Sequence, residues 1–107
     1  IDAVKNAELE CSRGNGRSCL DAADAHEHAR GIDRDPERAR MLTGLGVQQF
    51  AIRCMDRVPA GCLELAKLHK QGRGVAEDAV AANALVDRAT MLCRSRPTAP
   101  GCPGEQP

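Results

Sequence analysis

Six cysteines and three histidines are the residues here whose chemistry could define the protein. Cysteine can serve as a nucleophile, a soft metal ligand or half of a disulfide, and spacing helps to separate these roles. Cys11 and Cys19 have seven residues between them, as do Cys54 and Cys62, while Cys93 and Cys102 have eight. Zinc sites that take two thiolates from one segment use gaps of roughly two to four residues, so this spacing does not suit one ion. His26-Glu27-His28 lacks the i, i+4 spacing of H-E-x-x-H and sends its imidazoles to different faces of a helix. His26 and His69 read as packed structural histidines, and no metal or cofactor is expected. The hydroxyls outside the C-terminal tail are Ser12, Ser18, Thr43 and Thr90. No S-x-x-K is present and no nucleophile–base pair can be argued, so no enzyme is expected. Ser18 reads as a helix N-cap. An even cysteine count points to disulfides, and six cysteines allow fifteen connectivities.

The elements that position these residues must be built from a thin apolar inventory. Phe50 is the only aromatic in 107 residues. Much of the remaining apolar content is Ala, which buries little area at ~25 cal/mol per Å². The length suits one domain. Fifteen acids balance fifteen bases, so no global field favours nucleic acid or an anionic membrane. No apolar run approaches the ~20 residues of a membrane span. The sequence starts at Ile1 and is expected to be a mature form or an excised fragment.

The cysteines are periodic. Cys11 to Cys54 and Cys19 to Cys62 are both steps of 43. Ser18–Asp35 aligns with Gly61–Asp78 without a gap and matches at Cys19/Cys62, Leu20/Leu63, Ala23/Ala66, His26/His69, Arg30/Arg73, Gly31/Gly74 and Asp35/Asp78. Periods of this size mark repeat architectures. Each unit reads as two helices. Leu65, Leu68, His69 and Gly72 share one face of the first helix of the later unit, as Ala22, Ala25, His26 and Ala29 do in the earlier one. Gly31 and the Gly72–Gly74 pair are expected to stop these helices. Asp35-Pro36-Glu37 restarts the chain as N-cap, N1 proline and first-turn acid, with Asp78 a weaker counterpart.

The last helix is expected to bury Ala82, Leu85, Val86, Ala89, Leu92 and Cys93. Its counterpart over about Pro36–Met55 carries two stripes, Ala39, Leu42, Gly46 and Phe50 on one and Met41, Leu45 and Ile52 on another. Gly44 and Gly46 there signal either a close crossing or a break. Val4, Ala7 and Cys11 end an incomplete leading helix. After Arg94, Pro97, Pro100, Gly101, Pro103, Gly104 and Pro107 predict an extended tail tethered only at Cys102.

Gly61-Cys62-x-x-Leu65-Ala66-x-x-His69-x-x-Gly72-x-Gly74-Val75-x-x-Asp78, closing on Ala89-x-x-x-Cys93, resembles a Sel1-like repeat. The paired cysteines are similar to those of the Helicobacter cysteine-rich proteins, whose repeats carry a disulfide between one helix pair and the next. The resemblance implies an all-α, TPR-like α/α solenoid stapled by disulfides. Its domain would run over 1–94 as a half repeat 1–11, a repeat 12–54 and a repeat 55–94, with a tail at 95–107. It also implies local bridges Cys11–Cys19, Cys54–Cys62 and Cys93–Cys102, which the recurrence of the cysteines at each helix junction favours as well.

Solenoids present a long recognition face. The expected function is therefore a protein-interaction or scaffold module, with a protein partner and no nucleic acid. It would work in an oxidising compartment, periplasmic or secreted in a bacterial envelope, or in the mitochondrial intermembrane space. Arg is enriched at interface hot spots, and Arg38, Arg53, Arg57 and Arg73, at helix starts, ends and junctions, are the candidate contacts. Two alternatives stay open: a cell-wall or β-lactam-related periplasmic protein, and an assembly factor for a redox or metal centre.

Overall fold

In a computed structural model, which describes residues 2–30 and 32–104, the chain forms five helices and no strand among those residues. They are α1 (Asp2–Ser12), α2 (Gly16–Glu27), α3 (Pro36–Met55), α4 (Pro59–Gln71) and α5 (Ala79–Ser95). Gly31, expected to stop α2, lies outside the described residues. The chain divides into two compact units, Ile1–Gln49 and Phe50–Pro107. In the first, α1 packs on α2; in the second, α4 packs on α5.

Three of the helix starts are capped by a short side chain. Asn15 Oδ1 accepts from the Ser18 amide at 3.2 Å, Asp35 Oδ1 from the Arg38 amide at 3.1 Å, and Asp78 Oδ1 from the Ala81 amide at 2.9 Å. Each cap satisfies one of the orphan donors of a first turn. The sequence expectation of Ser18 as a cap is corrected. Asn15 takes that position, and Ser18 stands three residues inside, donating its amide.

The backbone hydrogen bonds that end the helices recur at positions 43 apart. After α2 the Arg30 amide donates to the Ala25 carbonyl, and after α4 the Arg73 amide donates to Leu68. The Asp35 amide then donates to His26, and Asp78 to His69, both at 2.9 Å. After α1 the Gly14 and Asn15 amides donate to Cys11 and Glu10; after α3 the Arg57 and Val58 amides donate to Cys54 and Arg53. Such closures need one left-handed residue past the helix. Gly72 (φ 67°) and Gly14 (φ 96°) supply it without strain, whereas Ala29 (φ 56°) and Arg57 (φ 67°) carry a Cβ into that region.

α3 is continuous through both of its glycines. A Cβ at Gly46 would lie 3.0 Å from Leu20 Cδ2 and 3.2 Å from the Gly16 carbonyl, so Gly46 marks a close crossing with α2. Gly44 faces open space. In the second unit Gly61 plays a stricter part, because a Cβ there would sit 2.6 Å from Arg53 Cβ and 2.7 Å from the Cys54 nitrogen. Ala39, Leu42 and Phe50 are buried as their stripe requires, while Met41, Leu45 and Ile52 are exposed.

Sulfur fills much of each core. Cys11, Cys19, Ala22, Ala23, Ala39 and Leu42 pack together in the first unit, and Cys54, Cys62 and Ala89 in the second, with Leu63, Leu85 and Leu92 against them. The bridges are Cys11–Cys19, Cys54–Cys62 and Cys93–Cys102, with Cα atoms 4.5, 4.5 and 5.6 Å apart.

The tail is not extended, nor held by Cys102 alone. It turns through residues 97–104 and buries Ala99 and Cys102. The Pro100 carbonyl accepts the Ala60 amide at 2.9 Å, one of the first-turn donors of α4. Gly101 lies so close to Ala60 that a Cβ would meet its nitrogen at 2.5 Å. A backbone bond to an uncapped helix start, where Val58 has no side-chain cap bond, draws the tail in.

Two expectations follow. Ala29→Gly relieves a left-handed alanine and should raise stability by about 0.5–1 kcal/mol, while Gly72→Ala, whose Cβ would lie 3.3 Å from Glu77 Cβ, should lower it by about 1 kcal/mol or more. Thermal melts read each as a shift of several degrees. Reduction should also be costly. Closing each short loop contributes about 2.5 kcal/mol in the chain-entropy model. Circular-dichroism melts with and without reductant should therefore differ by well over ~5 °C.

Candidate functional site

A groove runs along α4 and α5 within the second unit. Its upper part, about 290 Å³, lies over Leu63, Ala66, Ala82 and Val86. Its lower part, about 400 Å³, continues over Leu63, Ala89 and Cys93 to the turned tail at Gly101 and Pro103. The floor follows from helical spacing. Ala60, Leu63, Lys67 and Lys70 recur along one face of α4, and Ala82, Val86, Ala89 and Cys93 along one face of α5. From Ala60 to Lys70 the groove is about 15 Å long at 1.5 Å per residue.

Small residues make it. Ala66, Ala82 and Ala89 are buried and leave a hollow that longer side chains would fill. Val86, expected in the core, is exposed at its edge, and Leu85, Leu92 and Cys93 are only half-buried. In the first unit the counterpart of Leu63, Leu20, is fully enclosed, with α3 brought against it at Gly46.

The rim is cationic. Lys67 pairs with Glu64 at 3.2 Å, leaving Lys70 and Arg94 without a carboxylate among the described residues. The Arg94 guanidinium only approaches the Met91 sulfur, at 3.8 Å. Asn83 supplies a neutral amide, and the Thr90 hydroxyl is spent on the Val86 carbonyl at 3.0 Å.

The four arginine candidates fall into different settings. Arg38 is engaged, with Nε and Nη2 on Glu8 Oε2 at 2.6 and 2.5 Å. Arg73 is half-buried, and its amide closes α4. Arg53 and Arg57 are exposed at the end of α3, Arg53 with its Cβ against Gly61 and Arg57 in the left-handed conformation. Sequence reading missed Glu8 as the acceptor for Arg38, because the two lie on separate helices.

That ion pair sits over His26. His26 is buried, its Nε2 is 3.5 Å from Glu8 Oε2, and neither ring nitrogen has a hydrogen-bond partner among the described residues. His69 is half-buried with Nδ1 equally unpartnered. His28 points outward beside Asp24 and Glu27, their ligand atoms within 4.8 Å of one another. The Ser12 and Thr43 hydroxyls donate to carbonyls of their own helices, and every described cysteine is in a disulfide. No described helix is long and apolar enough to cross a membrane.

Comparison with family models, with curated proteins and with solved structures returns no match.

Glu8→Ala should strip Arg38 of its acceptor and cost about 1 kcal/mol, since the pair is half-exposed and water recovers part of the loss. A fall in melting temperature of several degrees, smaller in high salt, is the expected reading.

Proposed function

We propose that the chain is a protein-interaction module of the Sel1-like solenoid type, working in a periplasmic or secreted, oxidising setting. Helix-ending hydrogen bonds that recur 43 residues apart support the repeat reading. Three disulfides support the oxidising compartment, because reducing cytosol rarely lets them persist.

The observation that carries recognition is the α4–α5 groove, apolar along its floor and cationic at its rim. Its occupant is an amphipathic helix of about three turns that lays an apolar stripe over Leu63 and Val86. Carboxylates beside that stripe meet Lys70 and Arg94, whose charges have no acid of this chain to neutralise them among the described residues. Arg53 and Arg57, exposed and uncommitted to any ion pair among the described residues, add attraction at longer range and raise the association rate.

Affinity capture with the oxidised protein, followed by binding of synthetic helices from whatever is captured, tests this. A bound helix should carry acids beside its apolar face. Val86→Glu should abolish its binding, and Lys70→Glu should weaken it about tenfold or more and flatten its salt dependence. Arg53→Ala and Arg57→Ala should lower mainly the on-rate. Equal binding by parent and Val86→Glu would remove the groove as the site. Loss confined to the arginine variants would move recognition to the end of α3.

A further inference from the structure

α3 has a second apolar face that its own fold leaves uncovered. Ala39, Leu42, Gly46 and Phe50 occupy the buried face. On the opposite side Met41 is 50% exposed, Leu45 37%, Ile52 43% and Met55 76%. Single exposed hydrophobics are ordinary, but four large ones in line on one helix form a patch that marks an interaction surface. The spacing is regular. Met41, Leu45, Gln48, Ile52 and Met55 alternate steps of four and three, the pattern that keeps a seam facing a neighbouring helix.

The order along the seam says which helix. Gln48 stands at its centre, with a methionine seven residues away on either side. Gly44 and Leu45 lie four and three residues before it, Ala51 and Ile52 three and four residues after it. A two-fold axis through Gln48 would set a second α3 antiparallel on the first. Ile52 then faces the second copy's Gly44, Leu45 faces its Ala51, and Met41 faces its Met55. Ile52 and Leu45 each meet a small residue and the methionines meet each other at the ends, and a C2 contact supplies each such pair twice. Gly44 has open space above it, as a receiving position requires. The central glutamine suits the axis too, because a carboxamide both donates and accepts, so two related copies satisfy each other. A polar residue at one seam position also fixes register.

We propose that the protein self-associates as an isologous dimer through this face of α3, with the two helices antiparallel and crossing at Gln48. Small residues on both sides let the axes approach toward the lower end of the ~8–10 Å range. A contact along one helix is smaller than a standard interface, so association is reversible and visible at micromolar concentrations. The dimer is independent of the groove on α4 and α5 and stands whether or not that groove binds a partner.

Sedimentation equilibrium of the oxidised chain from about 1 to about 300 µM tests it. The average mass should climb from 11.4 kDa toward twice that value and stop there. Ile52→Glu should weaken association at least about tenfold while helical circular dichroism stays as in the parent. Gly44→Leu fills the receiving position without touching the buried face and should do the same, so the result does not hang on one variant. Met41→Lys and Met55→Glu should each associate poorly alone and recover when mixed, because antiparallel pairing brings the lysine of one copy to the glutamate of the other. A parent that stays monomeric over the whole range overturns the proposal, as does growth beyond two copies. So does a folded Ile52→Glu that associates like the parent. Failure of the mixed variants to recover overturns the antiparallel axis.

Discussion

Buried cystine takes the place that aromatic rings hold in most small cores. Cys19 and Cys62 have no exposure at all, and each is bonded to a partner on the preceding helix. With a single Phe and cores otherwise lined by alanine and leucine, packing alone offers little area per residue. The bridge fills space and also pins the end of one helix to the start of the next, because its two Cα atoms are held close. Beside the Cys54–Cys62 bridge Gly61 lets α4 approach the α3 backbone at Arg53 and Cys54, and Gly46 allows a similar approach where α3 crosses α2 at Leu20 and Gly16.

The same smallness produces the exposed features. Where a glycine brings α3 against α2, Leu20 is enclosed; along α4 and α5, alanines leave a hollow and Val86 stands at its edge. α3 carries aliphatic side chains on both faces and buries one. Exposed apolar surface in this chain thus arises from what the cores fail to cover.

Much of this was legible in the residues. Cysteine spacing and the aligned His, Asp and Gly positions place the helix junctions, and the Asp35-Pro36-Glu37 signal locates the start of α3, because both are local in sequence. Non-local matters were less legible. Whether Gly44 and Gly46 break a helix depends on what stands opposite them, which composition does not show. Val86 fits a helical stripe but meets no partner there. Arg38 reads as a candidate partner contact because its acid, Glu8, lies on another helix. Proline and glycine content predicts an extended tail. Its fold is decided by one unfilled donor on α4, and nothing in its own residues announces that.

Each bridge spans a sequence separation of only eight or nine residues, and the next pair lies a whole helix pair further on. Chains emerge N-terminus first, at a pace of about 5–20 residues per second during synthesis. A chain threaded into an oxidising space in that order offers Cys19 to Cys11 before Cys54 has arrived, and Cys62 to Cys54 before Cys93. Short separation and entry order then both favour the native partners among the fifteen possible connectivities. Each junction of the covalent frame is thus closed by residues of its own neighbourhood, without waiting for the rest of the chain.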